Sequence, residues 1–272
     1  VRRGLTLVVL GMVYNGLFKL DFENLRIASV LGRIGLAWSI AAVLYLNFGV
    51  KTRAAIAVAV LAGYGALSAL VAAPDAAGAG PLTFEGNLAG YIDRQFLPGK
   101  LIYGSFDPEG LLSTVPAVVT AMLGMFTGEF VRRSDIRGGR KTLWMAAAAA
   151  ALLAAGLAFS GVLPVNKKLW SSTFVCVVGA YSLGMFALFY YLIDVRGWRR
   201  WTLFFRVVGL NSITIYLAQR IVGFGRISDF FLGGIASKCP EAVAAVISSA
   251  GYVAVCWLFL YFLYRKNVFL KV

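Results

Sequence analysis

The sequence predicts an all-α, polytopic membrane helical bundle, and three observations support this fold class. Hydrophobic residues make up 60% of the chain and charged residues only 14%, whereas about a quarter of the residues in soluble domains are charged. The mean hydropathy is +0.80, and apolar runs of about twenty residues recur, each long enough to cross a bilayer as a helix. These runs are continuous rather than alternating, which excludes a β-barrel and leaves helices as the spanning structure.

About eight transmembrane helices are expected from these runs. They cover residues 4–20, 27–48, 54–73, 111–131, 142–162, 169–193, 201–222 and 243–264. No repeat with a period of roughly 20–50 residues is present, which excludes a solenoid. The simplest division is therefore a single domain over residues 1–272, with the longest loop, 74–110, inside it.

The formal net charge of +14 indicates membrane topology rather than nucleic-acid binding. Lysine and arginine concentrate in alternate short loops, such as 132–141 and 196–200, and such loops face the cytoplasm under the positive-inside rule. We therefore expect both termini of this chain to be cytoplasmic and the loop 74–110 to lie on the outer side. Loops of this length often act as lids or binding loops.

Catalytic and metal-binding motifs are missing from the sequence. The three cysteines lack metal-ligand spacing, and the chain contains no histidine, so we expect no bound metal. No serine–histidine pair, GxxxxGK loop or GxGxxG motif occurs. Because the chain starts at Val1 without a signal peptide and lacks histidine, we expect it to be a piece of a longer protein.

The stretch 164–194 carries the most specific pattern. A polar turn precedes about twenty uncharged residues, and it contains Asn166, Lys167, Lys168, Trp170 and Ser171. The two lysines and the tryptophan suit an anchor at the membrane–water interface. The lysines are equally suited to holding a phosphate or a sugar carboxylate. Since the turn is richer in polar residues than an anchor needs, these five residues are candidates for substrate or cofactor binding.

Two polar residues inside apolar spans also need an explanation. Arg33 either reaches back to the interface and pairs with Asp21 or Glu23, or it forms an anion site within the bundle. Asn211 either makes hydrogen bonds between helices or orients a substrate or a catalytic group.

Three further candidates lie where the chain enters the fourth span. Asp107 or Ser113 suits a helix N-cap. Asp107 and Glu109 are also suited to binding an amine or orienting a base. Residue chemistry alone predicts a helical membrane protein with polar groups at the outer ends of its spans, and no complete catalytic set.

Four stretches carry a resemblance to a known family. They are LRIASVLGRIGLAW, DPEGLLSTVPAVVTAMLGMFTGEF, PVNKKLWSSTFVCVVGAYSLGMFALFYYLIDVRGWRRW and FFRVVGLNSITIYL. In order and spacing they resemble the bacterial relatives of heparan-α-glucosaminide N-acetyltransferase, from Val1 to about Tyr216. The chain departs from the family pattern at Ala28 and Gly32, where the family usually has proline and glutamine.

This resemblance implies a multipass acyltransferase of the bacterial inner membrane. Such an enzyme moves an acetyl group from acetyl-CoA, its co-substrate, to an amino sugar on the outer side. The family's first two helices and its catalytic histidine would precede Val1, so this piece alone is expected to be inactive. The resemblance also implies a homodimer.

The remaining residues would supply the rest of the site under this resemblance. Asn211, Asp107 and Glu109 would take catalytic roles, while Arg33 would bind an anionic part of CoA or a substrate carboxylate. Two alternatives stay open: a small-molecule or sugar transporter, and a catalytically inactive structural relative. Paired broken helices would favour a transporter.

Overall fold

The computed structural model describes residues 1–270 and is built from helices. The eleven α-helices are α1 (Arg2–Tyr14), α2 (Val30–Asn47), α3 (Val50–Leu70), α4 (Leu88–Phe96), α5 (Leu111–Val131), α6 (Gly138–Ala158), α7 (Ser172–Tyr190), α8 (Leu203–Leu210), α9 (Ser212–Ile221), α10 (Phe224–Ala236) and α11 (Glu241–Arg265). Extended structure in residues 1–270 is limited to two isolated antiparallel bridges. The predicted all-helical class is confirmed.

Among residues 1–270, six helices are long and apolar enough to cross a membrane: α2, α3, α5, α6, α7 with its extension to Val195, and α11. The pair α8–α9, bent by 60°, makes a seventh if it counts as one span. The chain therefore has the helices of a multipass membrane protein, and the expected count of eight is approximate. The difference lies in the first expected span, where α1 has 13 residues and reaches only about 20 Å.

The chain divides into two compact units, Val1–Gly197 and the part from Trp198 onward. The first unit contains α1–α7 and the second contains α8–α11. The prediction of a single domain stays a prediction.

Small residues allow the helices of the first unit to pack closely. Ala37, Ala41, Ala57 and Ala117 lie in its core together with valines from α5 and α7. Where α1 crosses α2, a Cβ on Gly35 would lie 2.4 Å from the Gly4 carbonyl oxygen. Close backbone approach of this kind is a common way for membrane helices to associate, because lipid offers no hydrophobic driving force between them.

The long segment 74–110 is folded over one end of the first unit. It contains α4, which is capped by Asn87 through a hydrogen bond from the Gly90 N–H of 2.6 Å. Arg94 on α4 donates to Asp75 at 2.7 Å and also to the Ser105 carbonyl. These bonds close the segment on itself, and α4 packs against α3 and α5.

In the second unit α10 packs against α11, and α8 also contacts α11. Phe204 of α8 stacks on Trp257 of α11, with ring centroids 5.8 Å apart. The helix α10 lies between the last two predicted spans, where the sequence predicts no transmembrane helix.

Candidate functional site

A buried arginine lies at the end of the first unit where α2 and α5 begin. Arg33 is only 4% exposed. Its Nη2 donates to the Ser113 hydroxyl at 2.8 Å, and its guanidinium carbon lies 4.5 Å from the centre of the Trp170 ring. In the described part of the chain its Nε–H has no hydrogen-bond partner. Arg33 thus points into the bundle rather than toward Asp21 or Glu23.

Ser113 is held so that its oxygen can accept this bond. Its hydroxyl donates to the Pro108 carbonyl at 2.9 Å, in the turn that starts α5. The neighbouring cap of α2 is Ser29, whose side chain accepts from the Gly32 N–H at 2.9 Å. Ser29 thereby satisfies a free N–H at the start of α2. The N-cap of α5 is Gly110, without a side-chain capping bond, so neither Asp107 nor Ser113 is the N-cap expected from the sequence, and Ser113 instead fixes the guanidinium.

The two acidic residues of this turn share one arginine. Arg26 donates from Nε and Nη2 to the two carboxylate oxygens of Asp107, each at 2.6 Å, and it also donates to Glu109. Although burial penalises its charge, the hydrogen bonds and charge of Arg26 hold the pKa of Asp107 below its ordinary value. Burial likewise works against the charge of Arg26, but Asp107 and Glu109 outweigh it and raise the pKa of Arg26.

The geometry gives Asp107 and Glu109 different surroundings. The Asp107 side chain is fully buried, and its carboxylate also accepts the Glu109 N–H at 2.9 Å. Glu109 is partly open and lines a cleft with Arg33. An aspartate with all its lone pairs occupied anchors the turn, whereas Glu109 can reach a ligand in the cleft.

Asp93 is a further acidic residue of this site that the sequence analysis did not single out. It is completely buried, and it accepts the backbone N–H groups of Leu111 at 2.9 Å and Asp107 at 3.3 Å. Burial raises its pKa to about 6, and the two backbone hydrogen bonds offset this only in part. In the sequence, the feature that could have pointed to Asp93 is the mixture of aromatic and charged residues around it.

The polar turn before α7 is organised by its own side chains. Asn166 accepts the Lys168 N–H at 2.8 Å, and its own N–H donates to the Ser171 hydroxyl at 3.0 Å. Ser171 also caps α7 by accepting from the Phe174 N–H at 3.2 Å. Asn166 and Ser171 therefore shape the turn that presents Lys168 and Trp170.

Trp170 joins this turn to Arg33. Its φ of 52° places it in the left-handed region, which costs a non-glycine residue about 1–3 kcal/mol and is often found at functional sites. The indole N–H donates to the Thr120 hydroxyl on α5 at 3.3 Å. The strained backbone and this bond place the ring against the guanidinium, where a cation–π contact compensates part of its burial.

The two lysines of the turn are exposed. The ammonium of Lys168 lies 4.9 Å from the centre of the Phe84 ring and 4.5 Å from that of Tyr103. Both rings belong to the segment 74–110, so this segment and the turn meet at the same end of the first unit.

A cleft of about 410 Å³ opens beside Arg33, between α1, α2, α3 and α5. Arg33, Glu109 and Thr114 are among its polar lining, and aliphatic side chains such as Leu44 and Ile56 form the rest. Along α2 the lining extends from Arg33 to Leu44, a helical rise of about 16 Å. The cleft is therefore a narrow apolar space with a cation and a carboxylate at one end.

Asn211 belongs to the second unit, whereas the other predicted site residues lie in the first. It lies at the 60° bend between α8 and α9 and is 1% exposed. Thr214 donates to its side-chain oxygen at 3.3 Å, while its amide nitrogen has no partner among residues 1–270. Asn211 therefore lies at the break between α8 and α9.

The described residues contain no cluster of side chains that could bind a metal ion together. Among the described residues, no group of three or more histidine, cysteine, aspartate or glutamate side chains is arranged to hold a metal ion. All three cysteines are free thiols.

Comparisons with known proteins agree with the resemblance seen in the sequence. No family model matches the chain. Over 208 residues, 69% of the chain, it is 29% identical to heparan-alpha-glucosaminide N-acetyltransferase of Homo sapiens. It is 28% identical to the Mus musculus protein of the same name over 205 residues. The match spans only 30% of the length of each of these curated relatives.

Sequence similarity over most of the chain, together with an apolar helical bundle and a polar cluster at one end, leads to one assignment. The chain is a distant relative of heparan-alpha-glucosaminide N-acetyltransferase.

Proposed function

We propose that this chain forms part of a membrane acetyltransferase that moves an acetyl group from acetyl-CoA to the amino group of a sugar acceptor. The observation that carries the proposal is the apolar cleft that ends at Arg33 and Glu109. The acetyltransferase names of the relatives support the reaction class. The whole activity would also need the part of such an enzyme that this chain does not match.

The cleft suits the thioester arm of acetyl-CoA. This arm is a thin, flexible chain, and a narrow groove lined with aliphatic side chains would bury it along its length. With the acetyl group at the Arg33 end, the arm would follow α2 toward Leu44. The anionic end of the coenzyme would then lie near the arginine-rich loops, where positive charge attracts phosphates.

Arg33 would act on the acetyl carbonyl. When the acceptor nitrogen attacks, a C–N bond forms, the C–S bond breaks, coenzyme A leaves as a thiolate that gains a proton, and the amine loses one. Negative charge builds on the carbonyl oxygen during this step. The free Nε–H of Arg33 is a buried donor that could stabilise this charge, and donors of this kind typically contribute about 10²–10³ in rate.

Glu109 would receive the acceptor. A partly open carboxylate at the cleft attracts an ammonium group and can orient it for deprotonation. The resemblance implies that a histidine outside this chain serves as the base or as a transient acetyl carrier. Asp107 and Asp93 would hold the turn in place, and Asn166 and Ser171 would shape the turn that presents Trp170 to Arg33.

The setting of this reaction is also a proposal. The distribution of lysine and arginine supports an orientation with both termini of the chain in the cytoplasm, and thus an outward-facing site in a bacterial inner membrane. The resemblance further supports a homodimer.

A second candidate function rests on the broken helix. Interrupted membrane helices often line substrate paths in transporters, and α8–α9 is one such break. Transport would need a gradient or two compartments, whereas acetyl transfer proceeds in detergent.

The test is acetyl transfer by the purified intact protein in detergent, with labelled acetyl-CoA and glucosamine. Arg33→Met should lower kcat/KM by at least about 100-fold. Arg133→Met is the matched control, since Arg133 pairs with Asp135 on the surface and exposed ion pairs contribute about 0–1 kcal/mol. Absence of transfer to any amine by the intact protein would refute the proposal in favour of a transporter or an inactive relative.

A further inference from the structure

Three aromatic rings of the segment 74–110 form a surface, here called the aromatic face, made of Phe84, Tyr103 and Phe106. Their ring centroids lie 5.2–5.9 Å apart. Phe106 is buried, whereas Phe84 is 47% and Tyr103 46% exposed. The segment lies outside the helices long enough to cross a membrane, so lipid does not explain this exposure. Exposed aromatic patches of this kind mark interaction sites.

The aromatic face is rigid. Asn87, which caps α4, donates to the Phe84 carbonyl at 2.7 Å, and the Tyr103 N–H donates to the Phe106 carbonyl at 3.3 Å. Arg94 ties the Ser105 carbonyl to α4. A surface held this way loses little conformational entropy when a ligand binds.

Positive charge without an acidic partner borders the aromatic face. The Lys168 ammonium lies over Phe84 and Tyr103, within 5 Å of both ring centres, and Lys167 is next to it in the chain. The nearby acids pair with arginines instead: Asp75 pairs with Arg94, and Asp107 and Glu109 share Arg26. Within residues 1–270 neither lysine forms an ion pair.

We propose that the aromatic face and Lys168 together bind the acceptor: the sugar ring packs against the exposed parts of Tyr103 and Phe84 beside the Lys168 ammonium, and an acidic substituent of the sugar pairs with Lys168. This inference rests on the proposed function. The ring faces attract the polarised C–H groups of a pyranose, and lysine recognises a carboxylate or phosphate as a point charge. A cationic group alone fits less well, because Lys168 would repel it.

The position of the face relative to the cleft supports this role. Phe106 directly precedes Asp107 in the chain, and Lys168 lies two residues before Trp170, whose ring contacts Arg33. The aromatic face and the Arg33 end of the cleft therefore lie at the same end of the first unit, and under this proposal the acidic end of the acceptor lies at Lys168 while its amino group extends toward Glu109.

The first experiment measures sugar binding by calorimetry with the intact protein in detergent and without acetyl-CoA. The probes are glucosamine, glucosamine 6-phosphate and muramic acid, which separate a neutral substituent, a phosphate and a carboxylate. Tyr103→Ala and Phe84→Ala should each weaken the binding of all three sugars by about 3- to 10-fold. Phe96→Ala is the control, since Phe96 is a 70% exposed phenylalanine on α4, and it should bind like the wild type.

The second experiment tests the charge. Lys168→Met should weaken the binding of glucosamine 6-phosphate or muramic acid by about tenfold at low salt. It should leave the binding of glucosamine unchanged or slightly tighter, because the repulsion between its ammonium group and Lys168 is removed. Lys100→Met, at an exposed lysine of the segment 74–110, should leave the binding of all three sugars unchanged.

The outcomes separate this inference from the proposed function. Tyr103-dependent sugar binding without any acetyl transfer would support the acceptor site and count against the proposed reaction. Acetyl transfer with sugar binding that is unaffected by Tyr103→Ala would overturn the acceptor site alone. An equal loss of affinity for all three sugars in Lys168→Met, or no sugar binding by the wild type, would also overturn the proposed acceptor site.

Discussion

Replacing Asp93 with asparagine should change how the stability of the protein depends on pH. Asp93 is fully buried, and its two oxygens accept backbone N–H groups at the start of α5. Burial raises its pKa to about 6, from an ordinary value of 3.8. Because the folded state holds this proton more tightly than the unfolded state, the contribution of Asp93 to stability is complete below the unfolded pKa. It is lost as pH rises through about 6.

The size of this effect follows from the shift. Two pKa units correspond to about 3 kcal/mol. The difference in unfolding free energy between Asp93→Asn and the wild type should therefore change by about 3 kcal/mol between about pH 2.5, below the unfolded pKa, and about pH 8, in favour of the variant at high pH. Charged neighbours of Asp93, including Asp107 and Arg33, are present in both proteins and cancel to first order in the difference.

The assay is chemical unfolding in detergent micelles at a series of pH values. Asp75→Asn is the control with the opposite sign, because hydrogen bonds from Arg94 lower the pKa of Asp75. Its contribution is present above the unfolded pKa and is lost as pH falls, so the control should become relatively less stable at high pH. A pH-independent difference for Asp93→Asn, or one with the sign of the control, would refute the reasoning.

Three further substitutions probe the site. Asp107→Asn leaves the partly buried Arg26 with Glu109 as its remaining acidic partner and should lower the free energy of unfolding by about 1–3 kcal/mol; Asp135→Asn, which breaks the exposed ion pair with Arg133, should cost only about 0–1 kcal/mol in the same unfolding assay. Gly110→Ala would put a methyl group 2.0 Å from a carboxylate oxygen on α4, so its Tm should fall, whereas Gly124→Ala enters open space and should leave the Tm unchanged. Trp170→Phe keeps a ring against the guanidinium and should lower kcat/KM less than tenfold, whereas Trp170→Ala should lower it further; equal losses would show that the ring is not needed.

Much of the fold could be predicted because lipid imposes a simple rule. A chain that must satisfy its backbone inside hydrocarbon forms helices, so continuous apolar runs located α2, α3, α5, α6, α7 and α11. The same reasoning identified Arg33 as a residue that needs a partner. Its partners could not be read from the pattern, since Ser113 lies 80 residues away and only helix packing brings the two together.

The parts that could not be predicted are held by tertiary contacts rather than by periodicity. The helix α4 has only nine residues, so its apolar face is too short to stand out in the sequence. Arg26 had nearer acids in Asp21 and Glu23, but it pairs with Asp107, 81 residues away. Asp93 looked like one more charge in a loop, because its role depends on where α5 starts.

The contrast between two buried arginines shows why Arg33 is the better candidate for binding. Arg53 is 5% exposed and pairs with Glu129 at 2.9 Å. Arg33 is equally buried, but within the described residues it forms no ion pair; it donates to the Ser113 hydroxyl and packs on the Trp170 ring, while Glu109 and Asp107 act on it at longer range. A buried charge without a directly paired counter-ion costs several kcal/mol, a cost that an anionic ligand or a developing oxyanion would offset.

This contrast leads to opposite expectations for the same substitution at the two positions. Arg33→Met should leave the Tm unchanged or raise it, because it removes a charge that has no directly paired counter-ion while keeping much of the packing, and it should lower kcat/KM for acetyl transfer by at least about 100-fold. Arg53→Met should lower the Tm, because Glu129 loses its partner. Thermal unfolding and kcat/KM measured on both variants decide the matter. If Arg33→Met destabilises the protein as much as Arg53→Met, Arg33 serves the fold and the cleft loses its proposed anion-binding group.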